Sequence, residues 1–290
     1  MNKTLIPWVK NPDNKTQGVT WNPITGCLNC TPEGLCRGGM FPCYAYRLAN
    51  GRLKSRYLAN TNIAPPDLEK ERTKLESFET IGKVAFDPFY PRFWIHRARE
   101  EFGSCYAGAE LKGIFVCDMG DLFGIGVPEE WTRRILNKIS MSYYREHRFY
   151  LLTKQAQNLI KFSPFPDNCW VGVTATNWLM FSDALGHLAI IEAKVKYLSF
   201  EPLLEEVKLD MLQQMLFSKV IQWVIIGAQT KPKKLPEWEW VREIIDACDK
   251  AGIPVFLKDN LGLPRLSADG SPPLYKRSIG TWELRQEMPK

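Results

Sequence analysis

The stretch Gly113-Ile114-Phe115-Val116-Cys117-Asp118-Met119-Gly120-Asp121 sets the pattern of the chain: a short apolar run that breaks abruptly into polar residues. The same shape returns at Phe149–Leu152 before Thr153-Lys154, at Cys169–Val173 before Thr174, and at Val195–Phe200 before Glu201-Pro202. Trp223–Ile226 before Gly227-Ala228-Gln229-Thr230 and Ile253–Leu257 before Lys258-Asp259-Asn260 complete the series. Near-continuous apolar runs of this length are expected for strands covered on both faces.

Helical patterns lie between them. Pro128 with Glu129 and Glu130 opens one helix, whose apolar positions Trp131, Ile135 and Ile139 recur every four residues. Ser182 can cap a second, carrying Leu185, Leu188 and Ile191, and Val241, Ile244, Ile245 and Cys248 form the stripe of a third that stops at Gly252. Strand and helix in alternation mean a parallel sheet with right-handed crossovers. With Lys83–Asp87 counted as a strand, the expectation is an α/β fold: a partial or complete parallel (β/α) barrel formed as one domain by residues 1–260. A charged helical pattern follows Pro65-Pro66. Residues 1–20 read as a polar lead-in able to lay an edge strand on the body, and residues 261–290 as an extension packed on one end.

Functional groups of parallel α/β folds collect at the carboxyl ends of the strands. Here those ends carry Asp118, Met119, Gly120, Asp121, Thr153, Lys154, Thr174, Thr176, Glu201 and Lys258, a ring suited to a polar ligand. Thr176 or Asp118 could equally cap the following helix. Glu201 and Lys258, long charged side chains directly after apolar strands, are the expected catalytic pair.

Upstream, the loop from Trp21 to Ala45 holds four of the eight cysteines, Cys27, Cys30, Cys36 and Cys43, among glycines and prolines that let the backbone fold around a guest. Clustered thiols in a chain of this length point to metal ligation or catalysis rather than disulfide staples. Cys105, Cys117, Cys169 and Cys248 are scattered, and the last three read as core residues. His96, His147 and His187 are too few and too dispersed for a histidine metal centre. No Walker or dinucleotide loop is present.

The 290 residues are 45% hydrophobic with a net charge of +6. No apolar run is long enough for a membrane span, and a cytoplasmic location is expected. The charge excess and the basic group Arg47, Arg52, Lys54 and Arg56 are compatible with a nucleic-acid or phosphorylated partner, or with a plain solvated face. The aromatic run Phe86, Phe89, Tyr90, Phe93, Trp94 suits core and lid packing, or stacking in a pocket.

The block Trp21-Asn22-Pro23-Ile24-Thr25-Gly26-Cys27 with Cys43-Tyr44-Ala45 resembles a phage and bacterial family related to radical S-adenosylmethionine (radical SAM) enzymes, spore photoproduct lyase being a more distant relative. Phe115–Phe123, Leu151–Lys154, Asn168–Val173 and Leu198–Leu204 are similar to further blocks of that family, so the resemblance covers roughly residues 20–260. It implies a [4Fe-4S] cluster held by three cysteines, S-adenosylmethionine (SAM) on the open iron, an external electron donor, and a radical that takes hydrogen from substrate. It places Asp118, Met119, Gly120 and Asp121 beside the SAM amino group; Thr153, Lys154 and Thr174 join them as expected cofactor contacts. Radical SAM enzymes usually space their ligands C-x3-C-x2-C, whereas eight residues separate Cys27 from Cys36 and six separate Cys36 from Cys43. Cys27, Cys36 and Cys43 are the expected ligands, with Cys30 spare. Gly227-Ala228-Gln229 replaces a glycine-rich, Glu-containing turn of that family. A nucleic acid or nucleotide is the expected substrate. The alternative is a four-cysteine zinc site on a nucleic-acid-binding protein without radical chemistry.

Overall fold

In a computed structural model that describes residues 1–65, 84–209, 211–262, 275–278 and 281–289, the repeated apolar runs pair side by side. The strands are β1 (Asn2–Lys3), β2 (Val19–Trp21), β3 (Ile24–Thr25), β4 (Leu35–Cys36), β5 (Phe41–Pro42), β6 (Arg92–Phe93), β7 (Gly113–Val116), β8 (Arg148–Thr153), β9 (Cys169–Thr174), β10 (Val195–Phe200), β11 (Trp223–Ile226), β12 (Gln229–Thr230), β13 (Lys233–Lys234), β14 (Val255–Leu257), β15 (Tyr275–Ser278) and β16 (Thr281–Leu284). Eight form one sheet in the order β1-β2-β7-β8-β9-β10-β11-β14. Every pair from β2 to β14 is parallel, and β1 joins the β2 edge antiparallel.

The fold is therefore mixed α/β with a mostly parallel central sheet. Two expectations need correction. Residues 84 and 85 are helical and Phe86 lies in a turn, so no strand runs to Asp87. Pro88 follows, and Asp87 Oδ1 instead accepts from Phe89 N at 2.7 Å, a local turn that competes with strand pairing. The seventh parallel strand is β2, whose three residues are too few for periodicity to reveal. The helical pattern after Pro65-Pro66 lies outside the described residues.

The helices are α1 (Tyr44–Asn50), α2 (Lys54–Leu58), α3 (Ile95–Ala98), α4 (Glu129–Ile139), α5 (Trp178–Ala189), α6 (Met211–Val220) and α7 (Trp238–Ala251). Asn177, not Ser182, caps α5: its Oδ1 accepts from Met180 N at 2.9 Å. The helix begins a full turn before Ser182 because Asn177 is extended and offers the better cap geometry. Helix α7 ends at Gly252, whose φ of +68° suits glycine.

Alternation along the strands sorts two cores. One face (Ile114, Leu151, Val171, Leu198, Val224, Val255) packs against helix residues such as Ile135, Leu185 and Ile244. The other face carries Phe115, Tyr150, Trp170, Tyr197, Trp223 and Phe256, with Trp8 inserted among them. The Trp8 ring lies 5.0 Å from Phe115, 5.7 Å from Tyr150, 6.2 Å from Tyr197 and 6.2 Å from Trp223, so one residue meets side chains from four strands of the sheet. Beyond β14, Leu257 N donates to Arg285 O at 2.8 Å and Glu287 N to Val255 O at 2.9 Å, which occupies the outer edge of that strand. Among the described residues no helix is long and apolar enough to cross a membrane.

Candidate functional site

The cysteine loop is fixed to the sheet at its entry. Gly26, at φ +90°, lies so near residues 89 and 90 that a Cβ would fall 2.5 Å from their carbonyl oxygens, and its N–H donates to Met119 O at 3.0 Å. Asn22 reinforces the join, accepting from Met119 N at 3.0 Å and donating to Asp118 Oδ1 at 2.5 Å. After β7 the backbone reverses at Cys117, a non-glycine residue at φ +62° whose N–H donates to Trp21 O at 2.8 Å. The reversal turns Asp118 to Asp121 back over the strand ends.

A cavity of about 430 Å³ opens there. All four clustered cysteines line it, together with Asp118, Gly120, Asp121, Lys154, Thr174, Glu201 and Lys258. Met119 and Thr153 stand outside this lining. Met119 packs with Ala45, Tyr57 and Trp94. The Thr153 hydroxyl is spent on Asp121 Oδ2, at 2.9 Å, and on Gln155 N, at 2.9 Å.

Asp121 accepts from Thr153, from Lys154 N at 3.1 Å and from Phe123 N at 3.0 Å. Burial still pushes its carboxyl above the usual carboxylate range, as it does that of Asp118. Lys154 lies among the thiols. Burial pulls its ammonium down, but the negative charge of Cys36, Cys43, Asp121 and Cys27 outweighs that and holds it above its ordinary value.

The thiols themselves differ. Cys43 accepts hydrogen bonds from Cys30 and from the backbone of α1, Tyr46 N lying at 3.5 Å, and this lowers its pKa. The same contact with Cys43, and burial, raise Cys30. Burial pushes Cys27 up to about 12 although Asn29 N donates to its sulfur at 3.3 Å, and burial likewise raises Cys36. Among the described residues no group of three or more His, Cys, Asp or Glu side chains converges closely enough to hold a single metal ion.

Across the cavity Lys258 forms an ion pair with Glu201, whose second oxygen accepts from Trp8 Nε1 at 3.2 Å. Gly227 makes room for the pair: a Cβ there would lie 2.9 Å from Lys258 Cδ and 3.3 Å from Glu201 Cγ. Asn260 locks the adjoining backbone, accepting from Ala228 N at 3.2 Å and donating to Ala228 O at 2.8 Å.

Among the lining residues that sequence reasoning missed are Trp8, Tyr44 and Ser199. Trp8 is remote in sequence and carries no motif. Tyr44 stands inside the cysteine block, yet its hydroxyl reaches the Asp118 carbonyl, a use that a helix assignment does not suggest. Ser199 reads as a strand residue, but its buried hydroxyl has no hydrogen-bond partner among the described residues and it lines the cavity. Cys117, Cys169 and Cys248 are buried, as expected of core residues. His147 is buried too, its ring nitrogens engaged by the backbone.

The fold and site thus define an α/β protein with a thiol-lined cavity at the carboxyl ends of parallel strands. Residues 3–265 match the model of the family described as "Protein of unknown function (DUF5131)", and the chain belongs to that family. No curated protein and no solved structure matches the chain.

Proposed function

We propose that this protein is a radical SAM enzyme acting on a nucleic acid or nucleotide, its curved sheet serving as the open barrel of that class. The observation that carries the reading is the sharing of one cavity by four cysteines and the Glu201–Lys258 pair. The donor set fits an iron–sulfur cluster: the ligands offered are thiols, and the Lys154 ammonium among them offsets the charge that bound thiolates bring. A cubane takes each thiolate on a separate iron, so it needs thiols around one cavity rather than converging on one point.

Cys27, Cys36 and Cys43 would hold the cluster, with Cys30 spare beside them in the same cavity. A cluster so held, given an electron by an external donor, would provide the reductive cleavage of SAM into methionine and a 5′-deoxyadenosyl radical. Asp118, Gly120, Asp121, Lys154 and Thr174 border the space for SAM, with the Asp118 carboxylate oriented by Asn22. Thr153 and Met119 act behind them, Thr153 by fixing Asp121 and Met119 by packing under the loop. Lys258 and Glu201 face the reacting group, and the Trp8 indole holds Glu201 in place.

The test is anaerobic purification followed by iron, sulfide and zinc analysis, then reduction with SAM. Iron and sulfide near four each per chain, as for one cubane, together with 5′-deoxyadenosine, support the reading. Stoichiometric zinc without iron would replace it with the four-cysteine zinc site.

A further inference from the structure

The cavity mouth carries an arm that the reaction chemistry does not use. Strands β12 and β13 form a short antiparallel hairpin in which Gln229 faces Lys234 and Thr230 faces Lys233. Residues 229 to 231 line the cavity, so the hairpin forms part of its rim. Lys231, Lys233 and Lys234 are exposed, and among the described residues none of the three has an ion-pair partner. The arm is held in position at both ends: Asn260 clamps Ala228 at its base, and Gln229 Nε2 donates to Pro232 O at 2.8 Å across its turn. Three unpaired cations on a fixed support favour a polyanion whose charges repeat along a chain.

Aromatic rings line the same cavity. Phe41 and Tyr44 line the cavity on the cysteine-loop side, and Tyr44 is 47% exposed with its hydroxyl anchored on Asp118. Cationic groups and aromatic rings around one cavity are the two components of a single-strand binding surface, one for phosphates and one for bases. A recessed cavity reaches a group that is presented singly, whereas a duplex keeps its bases stacked and paired.

We propose that the β12–β13 hairpin grips the backbone of a single-stranded nucleic acid and lays it across the cavity mouth toward Phe41 and Tyr44. The inference rests on the enzyme reading only for what happens inside the cavity; the binding itself is measurable without turnover.

The experiment titrates the full-length protein into a fluorescein-labelled single-stranded 20-mer, as DNA and as RNA, over a range of salt concentrations. The K231A/K233A/K234A variant and its triple arginine counterpart are run in parallel. The alanine variant is expected to bind at least about tenfold more weakly in low salt, with a salt slope shallower by about 2, at about 0.7 per phosphate contact on a single strand. The arginine variant is expected to retain binding. Unchanged affinity in the alanine variant, no binding of either strand by the wild type, or equal binding of polyglutamate would overturn the proposal. Iron, sulfide and 5′-deoxyadenosine are measured on the same samples. Binding without a cluster removes the enzyme reading alone, and a competent cluster without binding removes the hairpin alone.

Discussion

The ring of Tyr197 on β10 lies over Gly172 on β9, so closely that a Cβ at residue 172 would fall 2.3 Å from it. Both residues face the inner core, where Tyr197 also meets Trp8 and Trp223 and cannot swing away. Gly172→Ala is expected to destabilise the fold by about 3 kcal/mol, the upper part of the usual cost of overpacking. Gly186, exposed within α5, has nothing within 4 Å of its Cβ position. Gly186→Ala should stabilise by about 0.5–1 kcal/mol through helix propensity. Urea denaturation of the two variants checks both signs.

Ser199 provides a test of ligand binding that does not depend on turnover. Its hydroxyl is buried and has no partner among the described residues, which costs about 1–3 kcal/mol when no ligand satisfies it. Ser199→Ala is expected to raise the Tm of the ligand-free protein and to diminish the further rise produced by SAM. A Tm that falls in the ligand-free variant would mean that the hydroxyl already has a partner.

Cys27, Cys30, Cys36 and Cys43 all line the cavity, one more thiol than a three-cysteine cluster uses. Cys30→Ala is expected to keep iron and sulfide at the wild-type content, since Cys30 is the spare thiol of the cavity. The same change at Cys27, Cys36 or Cys43 should lose both. Metal analysis after anaerobic reconstitution decides among the four.

His147 ties stability to pH. Its Nδ1 accepts from Lys112 N at 2.9 Å and its Nε2 meets Gly103 O at 2.7 Å, an arrangement that requires the neutral ring. Burial holds its pKa below the ordinary 6.5. The unfolded chain takes up a proton first, so the contribution of His147 is full above pH 6.5 and is lost as the pH falls below it. Urea midpoints at pH 7.5 and 5.5 should differ for the wild type and differ less for His147→Gln.

The sequence made the sheet legible because its central strands are apolar on both faces, and the strand ends followed as the positions where those runs break. One strand and one apparent strand escaped this logic. Val19–Trp21 is too short to show a period, and the run at Lys83–Asp87 is apolar enough to pass for a strand while Asp87 turns the chain instead. At the site, the chemistry-bearing types were legible and their reach was not. Asp121 and Thr153 both sit at strand ends, yet the hydrogen bond between them leaves Asp121 on the cavity wall and withdraws Thr153 behind it. Trp8 was invisible for a different reason, since its partners lie more than a hundred residues away in the chain.

That separation bears on how the protein is made. The Trp8 ring completes an inner core whose far wall is Trp223, so the early-synthesised N-terminal segment cannot settle until β11 has left the ribosome. Nascent chains stalled before β11 should accordingly retain a protease-sensitive N-terminal segment, and those stalled well beyond β14 should lose it.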